Sequence, residues 1–426
     1  MGADSQNTGR LEQYRVFNSA VSDRINYLIL FLLWPFLAFL FALRDYGNKE
    51  SRKVVYIFLI YYGLAFVIGN EGMDAAIYAL KMKEAAALPF SDFFKIVAGL
   101  YATDTSIDIV QPVISFIVSR FTTDHGYLFA AFAAVYGFFY LKSIDLLHDR
   151  YMQSPNWNAF IHLVFFVAIL PIFNINGFRM WAAAWIFFYG AYHVVLYRNP
   201  KFLLVALSAS LVHFSFLAAD LLLLIYFFAG NRNIIYLPLL AVSFVLPSLF
   251  GSAIASYAGI FGGAFQSRYE GYSSEAYISG VEESSQQLDW FMQIGNDLVL
   301  YYLIASVIII RILWMRTERQ KAEQNLFSFL LLFLAFVNFG AVIPTFGRRF
   351  QMVFFLFATL YLFYYYCSIP DRRINLLTWI GLFPMLLFTA IVFRQGALSI
   401  NAWIFAPGFG IPLLAPDFTL YDMLFG

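Results

Sequence analysis

A small set of residues in this chain could do chemistry, and each lies in or beside an apolar run. Arg179 stands in Asn174-Ile-Asn-Gly-Phe-Arg179-Met, at the head of a long apolar segment. A charge in that setting marks function by default, because hydrocarbon solvates it poorly. The glycine-containing lead-in leaves room beside the arginine, which suits an anion; snorkelling at a helix end is the competing account. His213 lies about 11 residues into another apolar segment and precedes Ser215. It is a candidate proton acceptor near neutral pH, or a histidine satisfied by a neighbour. Arg348 and Arg349 follow Pro344-Thr-Phe-Gly347. Two adjacent arginines on the side assigned below as external run against the positive-inside bias, so a local anion explains them better than topology does. Asp74 and Tyr78 are four residues apart and share one helical face, a spacing that a capping aspartate would also produce.

A second group lies in the polar stretch Gly251–Gln293, with Arg268, Tyr269, Glu270, Tyr272, Glu275, Tyr277, Glu282, Glu283, Asp289 and Trp290. Carboxylates that accept hydroxyl hydrogen bonds, interleaved with flat aromatic faces, suit a polyhydroxylated sugar; a solvated acidic loop is the alternative. The chain has no glycine-rich phosphate loop, no paired His/Cys metal spacing and no Asp-x-Asp. Nucleotide-driven and metal–thiolate chemistry are therefore disfavoured, and no metal site or cofactor is expected.

The elements that position these residues follow from composition. Of 426 residues 61% are hydrophobic and 12% charged, about half the charge of a soluble domain. Apolar runs near 20 residues recur along the chain and do not alternate, so they read as membrane helices rather than barrel strands. The net charge of +1 points to no nucleic-acid partner, and Cys367 alone cannot form an intramolecular disulfide. Met1–Arg24 is polar and precedes an apolar run without a small-residue cleavage site, which reads as a first membrane helix.

The expected spans are Ile25–Leu43, Val54–Ile68, Tyr127–Leu147, Trp157–Phe173, Asn176–Tyr197, Phe202–Phe228, Ile234–Phe250, Ile294–Trp314, Leu326–Phe346, Phe350–Cys367 and Ile374–Phe393. Basic clusters at Arg44–Lys53, Arg198–Lys201, Arg311–Lys321 and Asp371–Arg373 mark the cytoplasmic side. That leaves residues 71–126 and 251–293 outside, with an external tail at 394–426, all in one integral membrane domain. Parity fails at one place: three apolar segments separate Lys201 from Arg311, which needs an even number of crossings. Phe202–Phe228 is 27 residues long, about 40 Å as one helix. We therefore expect it to break near His213-Phe-Ser215 and return to the same side, as broken helices do where they line a polar cavity. Ile109–Phe121 is too short to span, and with Phe90–Leu100 it reads as amphipathic helices on the outer face. The expected fold is an all-α polytopic membrane protein with about eleven to thirteen transmembrane helices, a broken or re-entrant segment and external amphipathic helices.

In order and spacing these residues resemble the EpsG-like branch of Wzy-type polysaccharide polymerases. The pattern reads here as Gly72-Met-Asp74…Tyr78, then Asn176-Gly-Phe-Arg179, the basic turn Arg198-Asn-Pro-Lys201, Val212-His213-Phe-Ser215 and finally Arg349-Phe350…Phe354. The likeness covers most of Val54 to Cys367. Phe178 and Met180 stand where Ile and Gln are usual, and Ala75-Ala76 follow the aspartate. The architecture also resembles the wider GT-C-like set of lipid-dependent glycosyltransferases, oligosaccharide ligases included.

The resemblance implies two substrates linked to undecaprenyl diphosphate, meeting at the outer face of the bacterial inner membrane, in O-antigen, capsule or exopolysaccharide synthesis. The growing glycan would leave its carrier and join a single lipid-linked repeat unit without nucleotide or metal. On that basis Arg179 and Arg348 or Arg349 would bind diphosphate. Asp74, His213 or an acidic loop residue would take the acceptor's proton, and Tyr78, Arg268, Tyr269, Glu282 and Asp289 would contact sugar. A chain-length regulator is an expected partner by family analogy. Competing readings are a ligase, a flippase or transporter of lipid-linked sugars, and a structural scaffold.

Overall fold

The computed structural model describes residues 25–69, 74–93, 108–246, 270–271, 274, 277–280, 290–313, 321–368 and 372–426. Among these the regular structure is helical, apart from one isolated bridge between Asn401 and Thr419. Helical residues 25–33 are followed by α1 (Pro35–Arg44), α2 (Lys49–Leu64), α3 (Asp74–Ala86), α4 (Val110–Ser119) and α5 (His125–Tyr151). Next come α6 (Trp157–Ile169), a 3-10 turn (Ile172–Gly177), α7 (Phe178–Tyr197), α8 (Lys201–Leu207), α9 (Ala209–Val212), α10 (Phe216–Ala229) and α11 (Asn233–Val245). The C-terminal part holds α12 (Trp290–Leu313), α13 (Lys321–Gly340), α14 (Pro344–Ser368), α15 (Arg372–Ala397), α16 (Ile411–Leu414) and α17 (Leu420–Phe425).

Within the described residues each expected span lies mainly on helix; residues 247–250 and Trp314 lie outside the described residues. Among the described residues six helical stretches are long and apolar enough to cross a membrane. The number is lower than eleven because breaks divide the chain: the 41-residue stretch Trp157–Tyr197 contains two helices, and α1, α8–α9, α10 and α11 are short. The axis of the bundle is α14, with 94% of its apolar window buried, against 33% for α12 and for α15 at the periphery. Interlocking rings fill the centre: Phe357 of α14 packs on Phe188 of α7 at 4.8 Å and on Phe329 of α13 at 5.1 Å.

The expected break is present. α8 and α9 rise from Lys201 to Val212, His213 is extended at φ −146° and ψ 117°, and α10 begins at Phe216. The two arms form a hairpin whose open ends meet. Arg198, just before the first arm, donates from Nη1 to the Phe227 carbonyl at the end of the second, at 2.8 Å. The parity conflict disappears, since the segment leaves and returns on one side. Twelve residues of rising arm span about 18 Å, short of a hydrocarbon core. Close packing holds that arm against α7, where a Cβ on Gly190 would come within 2.5 Å of the Ala206 nitrogen.

α4 is amphipathic in an inverted sense. Gln111, Ser115 and Ser119 are buried, and Gln111 donates to Ser115 at 2.9 Å, while Ile117 is exposed. A helix with its polar stripe inward presents its apolar face to lipid. Of its expected companion Phe90–Leu100, residues 94–100 lie outside the described residues.

The tail after α15 folds back as a clasp. The first helix breaks at Trp34 (φ −156°, ψ 89°), just before Pro35, and the Leu32 and Leu33 carbonyls in its last turn lose their helical donors. Phe409 and Gly408 supply backbone N–H groups to them at 3.3 and 2.7 Å. Trp34 Nε1 donates to the Phe405 carbonyl at 2.9 Å and the Tyr61 hydroxyl to the Phe409 carbonyl at 2.7 Å. In lipid an unsatisfied carbonyl costs several kcal/mol, so the clasp replaces the donors that the break at Trp34 removes. Gly408 sits at φ +112°, a backbone region that favours glycine. Gly408→Pro, which loses both the donor and that conformation, is expected to lower stability by about 2 kcal/mol or more. Thermal unfolding of purified protein in detergent checks this; an unchanged midpoint would contradict the clasp.

Candidate functional site

The site forms where two chain breaks face one another. At the first, between α6 and α7, the Leu170 and Pro171 carbonyls leave the helix. The buried Tyr136 hydroxyl lies 2.7 and 3.0 Å from them, and Trp185 Nε1 donates to the Leu170 carbonyl at 3.2 Å. Thus fixed, the 3-10 turn delivers Phe178 and Arg179 to the first turn of α7. Phe178 stacks on Phe132 of α5 at 4.0 Å with the rings nearly parallel, and Phe132 meets Tyr78 of α3 edge-on at 5.7 Å. This aromatic column sets Tyr78 beside Arg179.

Arg179 donates from Nε to the Tyr78 hydroxyl at 3.1 Å and from Nη1 to Asp108 Oδ2 at 3.1 Å. Burial pushes the Tyr78 phenol up to about 12, with Arg179 pulling the other way. The phenol therefore stays protonated at neutral pH, and its O–H can donate to another oxygen while its lone pair accepts from the arginine.

Asp108 joins the two breaks. Its Oδ1 accepts the Phe214 backbone N–H at 2.8 Å, inside the hairpin tip, and lies 3.8 Å from His213 Nδ1. Next to it the Ile109 N–H donates to the Leu211 carbonyl at 3.0 Å. The Ser215 backbone N–H donates to His213 Nδ1 at 3.4 Å. The Ser215 hydroxyl is also 3.4 Å from Nδ1, so that nitrogen faces both Ser215 and the Asp108 carboxylate.

These groups line a cavity of about 70 Å³ formed by Asp74, Tyr78, Asp108, Arg179, Met180, His213, Phe214 and Arg349. That is space for about two waters. Arg349, on α14, makes no hydrogen bond or ion pair with the described residues. Nor does the Asp74 carboxylate, although it is near enough to act electrostatically on Tyr78 and Arg179. Among the described residues no three His, Cys, Asp or Glu side chains gather closely enough to hold a metal ion.

Residues far apart in sequence, Asp74, Tyr78, Arg179, His213 and Arg349, thus meet at one cavity. Arg348 is exposed and does not line it. Arg268, Tyr269, Glu282 and Asp289 lie outside the described residues. A described fragment of the same loop reaches the start of α14, where the Tyr277 hydroxyl contacts Thr345 Oγ1 at 3.3 Å. Asp108 is the site residue that sequence reasoning missed. Its one signal was a lone carboxylate just before an apolar run, which also describes an ordinary cap. Arg198 is instead a structural clamp: besides its bond to Phe227 it stacks over the Tyr226 ring at 4.9 Å.

Fold and site define a class: a polytopic all-α membrane protein with a charged cavity at the tip of a re-entrant hairpin. The chain belongs to the EpsG family, which it matches over residues 90–403. It is accordingly a polysaccharide-polymerase-like membrane protein, with Asp108, Arg179, His213 and Arg349 inside the match and Asp74 and Tyr78 upstream of it. No curated protein and no solved structure matches the chain at a significant level.

Tyr78→Phe removes the oxygen that accepts from Arg179. A hydrogen bond to a charged group contributes about 1.5–3 kcal/mol, so activity is expected to fall roughly tenfold or more at unchanged expression. A glycan-length assay on membranes checks this; wild-type activity would mean that the phenol does not position the arginine.

Proposed function

We propose that this protein is a polysaccharide polymerase that transfers a growing glycan from undecaprenyl diphosphate to a lipid-linked repeat unit, at the outer face of the bacterial inner membrane. The observation that carries the reading is the pair Arg179 and Arg349, delivered by different helices to one cavity that also holds two carboxylates and a histidine. Leaving diphosphate gains negative charge in the transition state, and fixed cations in a water-poor site stabilise it most there. Arginine suits the task because its planar fork pairs with two phosphate oxygens at once.

In the reaction the bond from the anomeric carbon to the diphosphate oxygen breaks, and a bond to the acceptor hydroxyl oxygen forms. The electron pair of the broken bond stays with the diphosphate, opposite Arg179 and Arg349. The acceptor's proton goes to Asp74, whose carboxylate faces the cavity without a hydrogen-bonding partner among the described residues. His213 hydrogen-bonds an oxygen of the leaving group. A single displacement of this kind inverts the anomeric centre. Scission of the glycosyl–diphosphate bond drives the reaction without nucleotide or metal. Arg268, Tyr269, Glu282 and Asp289 are assigned to the sugar, with Tyr78 on the cavity wall, and a chain-length regulator is the protein partner this reading calls for. The outside placement rests on the basic clusters of the opposite ends, Arg44–Lys53 and Arg198–Lys201 among them.

The test uses purified protein, synthetic undecaprenyl-diphosphate repeat unit, no nucleotide and added chelator. A ladder of longer lipid-linked glycans is expected. Arg179→Ala and Arg349→Ala should each lower the rate roughly 100-fold or more, whereas Arg348→Ala should stay near wild type. Asp74→Asn should lose most of the rate and His213→Gln less. No ladder from folded protein would transfer weight to the ligase or flippase readings. Equal effects of Arg348→Ala and Arg349→Ala would remove the diphosphate assignment.

A further inference from the structure

Asp108 is the most constrained carboxylate of the cavity. It is 3% exposed, and its two oxygens have different duties. Oδ1 accepts the Phe214 N–H at 2.8 Å and so holds the hairpin tip, and His213 with it. Oδ2 accepts Arg179 Nη1 at 3.1 Å. A carboxylate on a guanidinium supplies the negative charge and the acceptor oxygen that a phosphate would present there. The ion pair lies in the wall of the cavity that Arg349 also lines, so an anion entering that cavity meets Oδ2 on the guanidinium. An anion that takes up the N–H donor now held by Oδ2 has to displace the carboxylate from Arg179.

We propose that Asp108 is a positioning residue that stands in for phosphate on Arg179 between turnovers, and so displaces the spent diphosphate carrier while keeping the hairpin tip in register. The inference rests on the diphosphate reading of the site. Two cations with no competing anion would hold substrate and product diphosphate alike, and such uniform binding does not raise turnover. Release of a tightly held product then limits the rate. A carboxylate next to the arginine repels the bound diphosphate and reclaims the guanidinium as the carrier leaves. Asp74 cannot take this part, since no hydrogen bond joins it to Arg179 among the described residues. Tyr78 cannot either, because its phenol is neutral and competes with no anion.

The substitution that separates the two duties is Asp108→Asn. Its amide oxygen still accepts from Phe214, but it no longer carries the charge that competes for Arg179. Binding of undecaprenyl diphosphate to the purified full chain, and turnover of lipid-linked repeat unit, are measured for wild type and variant, with gel filtration reporting the fold. The variant is expected to bind undecaprenyl diphosphate roughly tenfold tighter, as removal of an adjacent like charge requires. It should elongate in a single burst and then turn over several-fold more slowly. Arg179→Ala in the same background should abolish the gain in binding. Weaker binding together with lost turnover would make Asp108 merely structural and overturn the proposal, and so would unchanged binding and turnover. If Asp108→Asn does not fold, Asp108→Glu keeps the charge but shifts the tip by one methylene. Near-wild-type binding with turnover reduced roughly tenfold supports the positioning role, and full turnover overturns it. Failure of the wild type itself to bind undecaprenyl diphosphate is a separate result: it refutes the functional reading, and the inference with it.

Discussion

In hydrocarbon no water is present to satisfy a backbone group, so every interruption of a helix has to be completed by other parts of the protein. This chain interrupts its helices at Trp34–Pro35, between Leu170 and Gly177, and at His213–Ser215. Each interruption has its own set of partners. The C-terminal clasp serves the first, Tyr136 and Trp185 the second, and Asp108 the third. The breaks are therefore fixed features of the structure. They are also the places where polar side chains project into space that continuous helices would close.

The candidate site lies between the second and third of these breaks, and its charges are arranged accordingly. One break presents Arg179, the other presents His213, and a single carboxylate spans them. Arg349 enters from α14, the most deeply buried helix of the bundle, so the cation opposite Arg179 rests on a rigid support. A constellation set on packed elements holds its geometry better than one on free loops. The aromatic column Tyr78–Phe132–Phe178 extends that rigidity to α3 and α5.

Much of this was legible in the sequence, for identifiable reasons. Apolar run length marked the helices, and a 27-residue run carrying His213 and Ser215 at its middle marked the hairpin, because a single helix of that length exceeds the bilayer. Arg179, Asp74, Tyr78 and His213 were visible as polar residues in apolar surroundings. Three features were less accessible. Arg348 and Arg349 look alike in sequence, yet neighbouring residues on a helix point in different directions, and only Arg349 reaches the cavity. Asp108 acts through partners 71 and 106 residues away, a relation that no local pattern encodes. The clasp joins Gly408 to Leu33 through main-chain atoms, which side-chain chemistry does not reveal.

Central to the proposed function is a diphosphate site built by the two breaks together with α14. The most direct measurement is an electron-microscopy structure of the protein in a lipid nanodisc with undecaprenyl diphosphate bound. Phosphorus density is expected between the guanidinium groups of Arg179 and Arg349, within hydrogen-bonding distance of both, with Asp108 Oδ2 moved off Arg179. Diphosphate density elsewhere, with the Arg179–Asp108 pair intact, would contradict it.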